Sequence, residues 1–209
     1  MDFLDNVIGV IHVGAHVGQE RHLYNSKDLN VLWIEAIKPI FEQLVENIQC
    51  YSSKQVALNA LITDLEDQPY EFNISSNDGM SSSIFELGAH KEIWPDVYYQ
   101  STITLKSVTL PSLLKRYSID ITQYNSLVID AQGAELLILK GSISILKHFT
   151  YVRLEAAEFE SYKGSCMLEE IDDFLMKNGF REVHRRAFAS HNRLGSYFDV
   201  TYASDIKTA

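Results

Sequence analysis

The stretch Val10-Ile-His-Val-Gly-Ala-His-Val-Gly18, with Val31-Leu-Trp-Ile-Glu35 after it, decides the fold. The first belongs to an apolar run that starts at Val7. It predicts a strand buried on both faces, a glycine turn, and a helix from about Gly18 to Ser26. The second predicts a neighbouring strand ending on a carboxylate. Lys38-Pro39 places proline at a helix start, and Phe41, Leu44, Val45 and Ile48 follow at helical spacing. Val56–Leu61 supplies a third strand. Such a βαβαβ run is half of a doubly wound nucleotide-binding sheet. Glycines let the backbone approach a ligand closely, and an acid one strand over can grip ribose hydroxyls.

The rest of the chain continues the pattern. Glu71–Ile74 and Thr102–Val108 read as strands flanking Ser75-Ser-Asn-Asp-Gly-Met-Ser-Ser-Ser83 and an aromatic stretch with Trp94, Tyr98 and Tyr99. A polar loop of this length suggests a lid, so 65–108 is expected to be an inserted, substrate-covering segment, or else a plain surface insertion. Leu110–Tyr117 predicts a helix and Leu127–Ile129 a strand ending on Asp130. Ala134–Lys140 and Ser142–Lys147 are helical, and Tyr151–Leu154 is a strand ending on Glu155. Leu168, Ile171, Phe174 and Leu175 form a helical stripe closed by Asn178-Gly179. Phe180–His184 and Ser196–Tyr202, joined only by a polar loop, predict a hairpin whose last strand runs antiparallel to the others. The expectation is a single α/β domain over 1–209, with a mostly parallel seven-stranded sheet and helices on both faces.

Composition narrows the function. The 209 residues are 46% hydrophobic and 22% charged, ordinary for a globular domain with a substantial core. No apolar run suits a membrane span, and the acidic start lacks the basic region of a signal peptide. Two cysteines, Cys50 and Cys166, with no Cys/His cluster, predict neither disulfides nor a metal site and suit the cytoplasm. A net charge of −10 argues against general nucleic-acid binding, His184-Arg185-Arg186 being the one local basic run. A small-molecule or glycan acceptor fits that charge better.

This layout resembles the class I S-adenosylmethionine-dependent methyltransferase fold, and specific stretches resemble the FkbM-type family. They are His12-Val-Gly-Ala-His-Val-Gly-Gln-Glu20, Ser76-Asn-Asp-Gly-Met-Ser-Ser-Ser83, Leu127-Val-Ile-Asp-Ala-Gln-Gly-Ala-Glu-Leu-Leu-Ile-Leu-Lys-Gly141, Tyr151-Val-Arg-Leu-Glu155 and Tyr162-Lys-Gly164. Two positions depart from that pattern: His12 stands where many such enzymes have an acid, and Pro111 where family members tend to have one. The resemblance implies S-adenosylmethionine as cofactor and O-methyl transfer to a small-molecule, sugar or glycan hydroxyl. The alternatives are a methyltransferase-like module without catalysis, supported by His12 and Pro111, and a nicotinamide oxidoreductase. His16 occupies the second glycine of G-x-G-x-x-G, which speaks against the oxidoreductase.

Candidate residues follow. Gly14, Ala15, His16 and Gly18 form the turn that faces the cofactor. Glu35 is placed to accept hydrogen bonds from both ribose hydroxyls, or is a surface acid. The resemblance implies Ala36 beside the adenine, with Asn59 and Ala60 similarly placed. Asp130 and Glu155 end strands at the ligand crevice, beside Gln132. Asp130 can hold the cofactor's amino group, orient or deprotonate the acceptor, or cap the next helix. His90 and His16 are candidate bases. Ser81, Ser82 and Ser83 can hydrogen-bond an acceptor, and Trp94 can stack on a sugar or belong to the core. The 65–108 segment, a homodimer partner or a larger substrate is expected to cover the acceptor.

Overall fold

A computed structural model describes residues 3–51 and 54–205 of the chain. After a 3-10 turn at Phe3–Asn6 come β1 (Gly9–Val13), α1 (Arg21–Ser26), β2 (Asn30–Glu35), α2 (Lys38–Ile48) and β3 (Gln55–Asn59). Next are β4 (Leu61–Ile62), β5 (Pro69–Ser75), α3 (His90–Ile93) and β6 (Tyr99–Val108). The second half comprises α4 (Leu110–Arg116), β7 (Ser126–Ile129), α5 (Glu135–Gly141), α6 (Ile143–Leu146), β8 (Tyr151–Ala157), α7 (Leu168–Lys177), β9 (Phe180–His191) and β10 (Gly195–Ser204).

The main sheet has seven strands in the order β3-β2-β1-β7-β8-β10-β9. Its strands from β3 to β8 are parallel, and β10 runs antiparallel to both β8 and β9. The order reverses direction between β1 and β7. Ligand crevices of open α/β sheets form at such a switch, outside the carboxyl ends of the strands.

Alternation along the strands sorts side chains to two layers. Ile11, Val13, Leu32, Ile34, Leu127 and Ile129 pack with α4, α5 and α7. Val10, Val31 and Trp33 pack on the opposite face with Tyr24 of α1 and with Leu44 and Ile48 of α2. Thr109 caps α4 by accepting from the Ser112 N–H. No helix among the described residues is long and apolar enough to cross a membrane.

Two boundaries differ from expectation in ways that matter. The strand expected over Val56–Leu61 breaks at Ala60, whose N–H turns to the Glu35 carbonyl at 3.1 Å. Beyond that break β4 joins a separate three-stranded sheet, parallel to β6, with β5 antiparallel to β6. Segment 65–108 is thus a sheet branch carrying the serine loop at one end. The C-terminal hairpin is also longer than expected, because β9 is exposed along most of its length and shows little apolar alternation.

Candidate active site

Four strands, β2, β7, β8 and β10, each bring one acid to the crevice end of the sheet. Glu35 of β2 pairs in register with Asn59, and Asp199 of β10 pairs with both Glu155 of β8 and Arg186 of β9. Asp130 directly follows β7, between them. These acids stand in one cross-strand row, and a cavity of about 420 Å³ opens beside it. Glu20, Glu35, Asp130, Glu135 and Glu155 all line that cavity.

The turn after β1 is built around Asp130. Gly14 adopts φ +79°, and a Cβ there would lie 1.7 Å from the Asp130 carbonyl oxygen. Ala15 and His16 follow on the cavity wall. Buried Glu35 accepts the His16 N–H at 2.8 Å on one oxygen and the Ile37 N–H at 2.7 Å on the other. Each oxygen keeps acceptor capacity, as recognition of a diol requires. Burial pushes the Glu35 carboxyl above its ordinary range against those backbone bonds. Ala36 and Ala60 line the same end.

Asp130 does not cap α5. The N-cap position, Ala134, has no side-chain cap, and the first-turn Glu135 folds its carboxylate back on the preceding turn to accept the Ala131 N–H at 2.9 Å and the Gly133 N–H at 3.0 Å. One Asp130 oxygen is held instead by the Gln132 amide at 2.6 Å, and Gln132 accepts the Tyr162 hydroxyl at 2.6 Å. Burial raises Asp130 to about 6 against the Gln132 bond, with Glu20, Asp199 and Glu35 adding repulsion. Burial likewise raises Glu135 to about 7 and Glu155 to about 9, the latter helped by Asp130 and Asp199 and opposed by Arg153.

His90 is buried, its ring 4.7 Å from Trp94 and 5.2 Å from Tyr162. Its Nε2 meets Ser81 Oγ at 3.2 Å, and its Nδ1 has no partner among the described residues. Burial lowers it to about 4, so it is neutral at pH 7 and a weaker base than a free imidazole. Trp94 lines the cavity while packing edge-on to Tyr197 at 5.0 Å, so the wall and core readings both describe it.

Several expected residues are placed differently. Gly18 lies outside the cavity wall. Its N–H bonds Ala15 within the turn, and its missing Cβ makes room for Leu44. Asn59 also lies outside, its amide spent on the Glu35 and Ala36 carbonyls at 2.7 and 2.9 Å. Ser83 faces away and donates to the Gln132 carbonyl at 2.7 Å. Ser81 and Ser82 do line the cavity but are wired into the loop through Asn77 and Ser75. His16 is a strut rather than a free base. Its Nε2 donates to the Asp78 carbonyl at 2.8 Å and its Nδ1 accepts from Gln19 at 2.9 Å. Through Asp78 it ties the glycine turn to the serine loop.

Glu135 and Tyr162 were missed as site residues. The spacing Asp130-Ala-Gln-Gly-Ala-Glu135 held the signal for Glu135, because a first-turn glutamate can reach back over a Gln-Gly turn. Tyr162 comes to Gln132 from 30 positions away, and only the family-like Tyr162-Lys-Gly164 stretch pointed to it.

A family model described as the methyltransferase FkbM domain matches residues 12–182. Among solved structures, Sp1610 of Streptococcus pneumoniae superposes with a TM-score of 0.51 at 11% identity, over 94% of this chain and 64% of that one. An uncharacterized protein from Listeria monocytogenes serotype 4b gives 0.53 at 10% identity, over 99% and 66%. The METTL16 MTase domain gives 0.52 at 13% identity, over 93% and 58%. The chain therefore spans about two thirds or less of the length of these structures, which it resembles in fold. No curated protein matches.

Proposed function

The chain belongs to the FkbM methyltransferase family, and on that premise we propose that it transfers the methyl group of S-adenosylmethionine to a hydroxyl of a small-molecule, sugar or glycan acceptor. The observation that carries this reading is the five carboxyl groups that line one cavity, with a raised Asp130 among them. Five acids suit a ligand that brings both a sulfonium and an ammonium. Glu35, with acceptor capacity left on both oxygens, would hold the ribose diol. Asp130 and Glu20 would face the amino-acid end.

The cofactor supplies an electrophilic methyl with a neutral thioether as leaving group. The chain's residues then have two tasks. They align the acceptor oxygen with the methyl carbon, and they take the hydroxyl proton. Asp130, raised to about 6, is a base whose strength suits neutral pH. His90 lines the same cavity, its unpartnered Nδ1 buried, and is the second candidate base. Glu155, raised to about 9, is a protonated hydrogen-bond donor at pH 7. The S. pneumoniae structure is described as a tRNA methyltransferase, but its likeness is one of fold, and a net charge of −10 favours an uncharged acceptor here.

The test measures S-adenosylhomocysteine formation against a panel of hydroxyl, amine and nucleic-acid acceptors, with cofactor binding followed by calorimetry. Turnover on hydroxyl compounds, abolished in Asp130→Asn, is expected. Turnover confined to amines or RNA would overturn the acceptor class. Saturable binding without turnover on any acceptor would overturn the catalytic role.

A further inference from the structure

A second cleft, of about 580 Å³, lies on the open end of the main sheet. Its lining comes from β8, β9, β10 and the 3-10 turn, with no residue from any of α1–α7. Cross-strand register sets its chemistry. Arg153 pairs with Thr201 and Thr201 with His184, while Asp199 pairs with Arg186 and Ala203 with Arg181. These side chains share one face of the sheet and converge on one concavity.

Asp199, 8% exposed, receives Arg153 at 3.1 Å on one oxygen and Arg186 at 2.6 Å on the other. One carboxylate between two guanidinium groups leaves the cluster positive. Each guanidinium has five N–H donors, so most remain for another acceptor. The shared carboxylate also holds both forks in place, which lowers the cost of ordering them around an anion. His184 adds to the same wall, and Arg181, paired with Asp205 at 3.2 Å, flanks it. Phe3, edge-on to Tyr151 at 6.1 Å and 5.5 Å from the Arg153 guanidinium, supplies a flat apolar side. A basic cleft in a chain of net charge −10 is a local departure from the charge of the whole.

We propose that this cleft binds a small phosphate-bearing ligand, held by Arg153, Arg186 and His184 and bounded by Phe3 and Tyr151. Arginine forks match phosphoryl oxygens in pairs. The site suits a compact anion rather than a long polyanion, because the arginines converge instead of forming a stripe and the acidic remainder repels an extended phosphate chain.

The experiment titrates the full chain with inorganic pyrophosphate at low ionic strength, where surface charge is least screened. Arg186→Glu is the cleft variant. Lys106→Glu, the same charge change on exposed β6, is the control, and a thermal melt checks that both fold. Saturable pyrophosphate binding is expected, weakened at least about tenfold in Arg186→Glu and little changed in Lys106→Glu. Failure to saturate, or equal weakening in both variants, would overturn the site. Binding of a single-stranded RNA oligomer that pyrophosphate does not displace would overturn the small-ligand assignment.

Discussion

The Gln132 amide donates to one oxygen of Asp130 at 2.6 Å, and only one orientation of that amide permits it. An ionised carboxylate only accepts, so the nitrogen must face Asp130 and the carbonyl oxygen must face the Tyr162 hydroxyl. Gln132 holds this position at φ +49°, a conformation that costs a non-glycine residue on the order of 1 kcal/mol. The strain is located where the proposed base is aimed.

That bond favours the ionised form of Asp130 and so lowers its pKa. Gln132→Leu removes it and should raise the Asp130 value. The acid limb of the kcat/KM profile should then move to higher pH by roughly one unit. Tyr162→Phe, which frees the amide without removing it, should move the limb less and in the same direction. A limb that stays in place in both variants would show that Asp130 is not the titrating base.

Glu35 has two tasks, and substitutions separate them. Glu35→Gln keeps a side-chain acceptor for one backbone N–H but loses the charge. Its amide NH2 then faces the other N–H, so its Kd for S-adenosylmethionine should rise roughly tenfold to a hundredfold while its Tm falls, though by less than in Glu35→Ala. Glu35→Ala also strands the His16 and Ile37 N–H groups. It should lose a further 1–3 kcal/mol or so of stability. Calorimetry and thermal melts read the two effects apart, and unchanged affinity in Glu35→Gln would remove the ribose role.

Three glycines with positive φ should differ sharply on substitution by alanine. Gly14→Ala would drive a methyl to within 1.7 Å of the Asp130 carbonyl oxygen, and only backbone movement can relieve that. A loss of about 3 kcal/mol or more is expected. Gly18→Ala meets the movable end of Leu44 at 2.7 Å and should cost less. Gly179→Ala meets nothing within 4 Å and should cost about 1–2 kcal/mol, the left-handed conformation alone. Denaturant midpoints test the ranking.

Stability should fall as pH rises. Glu155 and Glu135 hold their protons up to about 9 and about 7 in the folded chain, whereas an unfolded glutamate releases its proton near about 4.3. The folded state binds more protons between those values. Its stability is therefore fullest below the unfolded value and is lost as pH climbs through the folded ones. His90, lowered to about 4, acts in the opposite sense only up to about 6.5, and the two acids outweigh it. Tm should decline from about pH 5 to about pH 9, and Glu155→Gln should flatten the decline. A parent and variant with the same slope would show that Glu155 is ionised in the fold.

The sheet was readable because β1, β2 and β7 are mostly apolar runs, and the acids at or near the ends of β2, β7 and β8 fall at the crevice by strand direction alone. Which way each side chain turns was not readable. Asn59 and Ser83 sit at the right height but spend their polar groups on nearby carbonyls. Gly18 answers to Leu44 of α2, a contact between elements. The break at Ala60 depends on a hydrogen bond to Glu35, 25 positions back, and no pattern in Val56–Leu61 announces it. His90 was readable as a base candidate, but its burial comes from Trp94 and Tyr162 closing over it.

The acid row also governs what accompanies ligand entry. Carboxyl groups that burial keeps protonated become anions once a sulfonium and an ammonium lie among them, so cofactor capture should expel protons into solution. The heat of binding should vary with the ionisation enthalpy of the buffer, and affinity should climb with pH while Asp130 and Glu135, at about 6 and about 7, still retain protons. The cavity would then act as an ion exchanger, taking up a cation as it lets protons go.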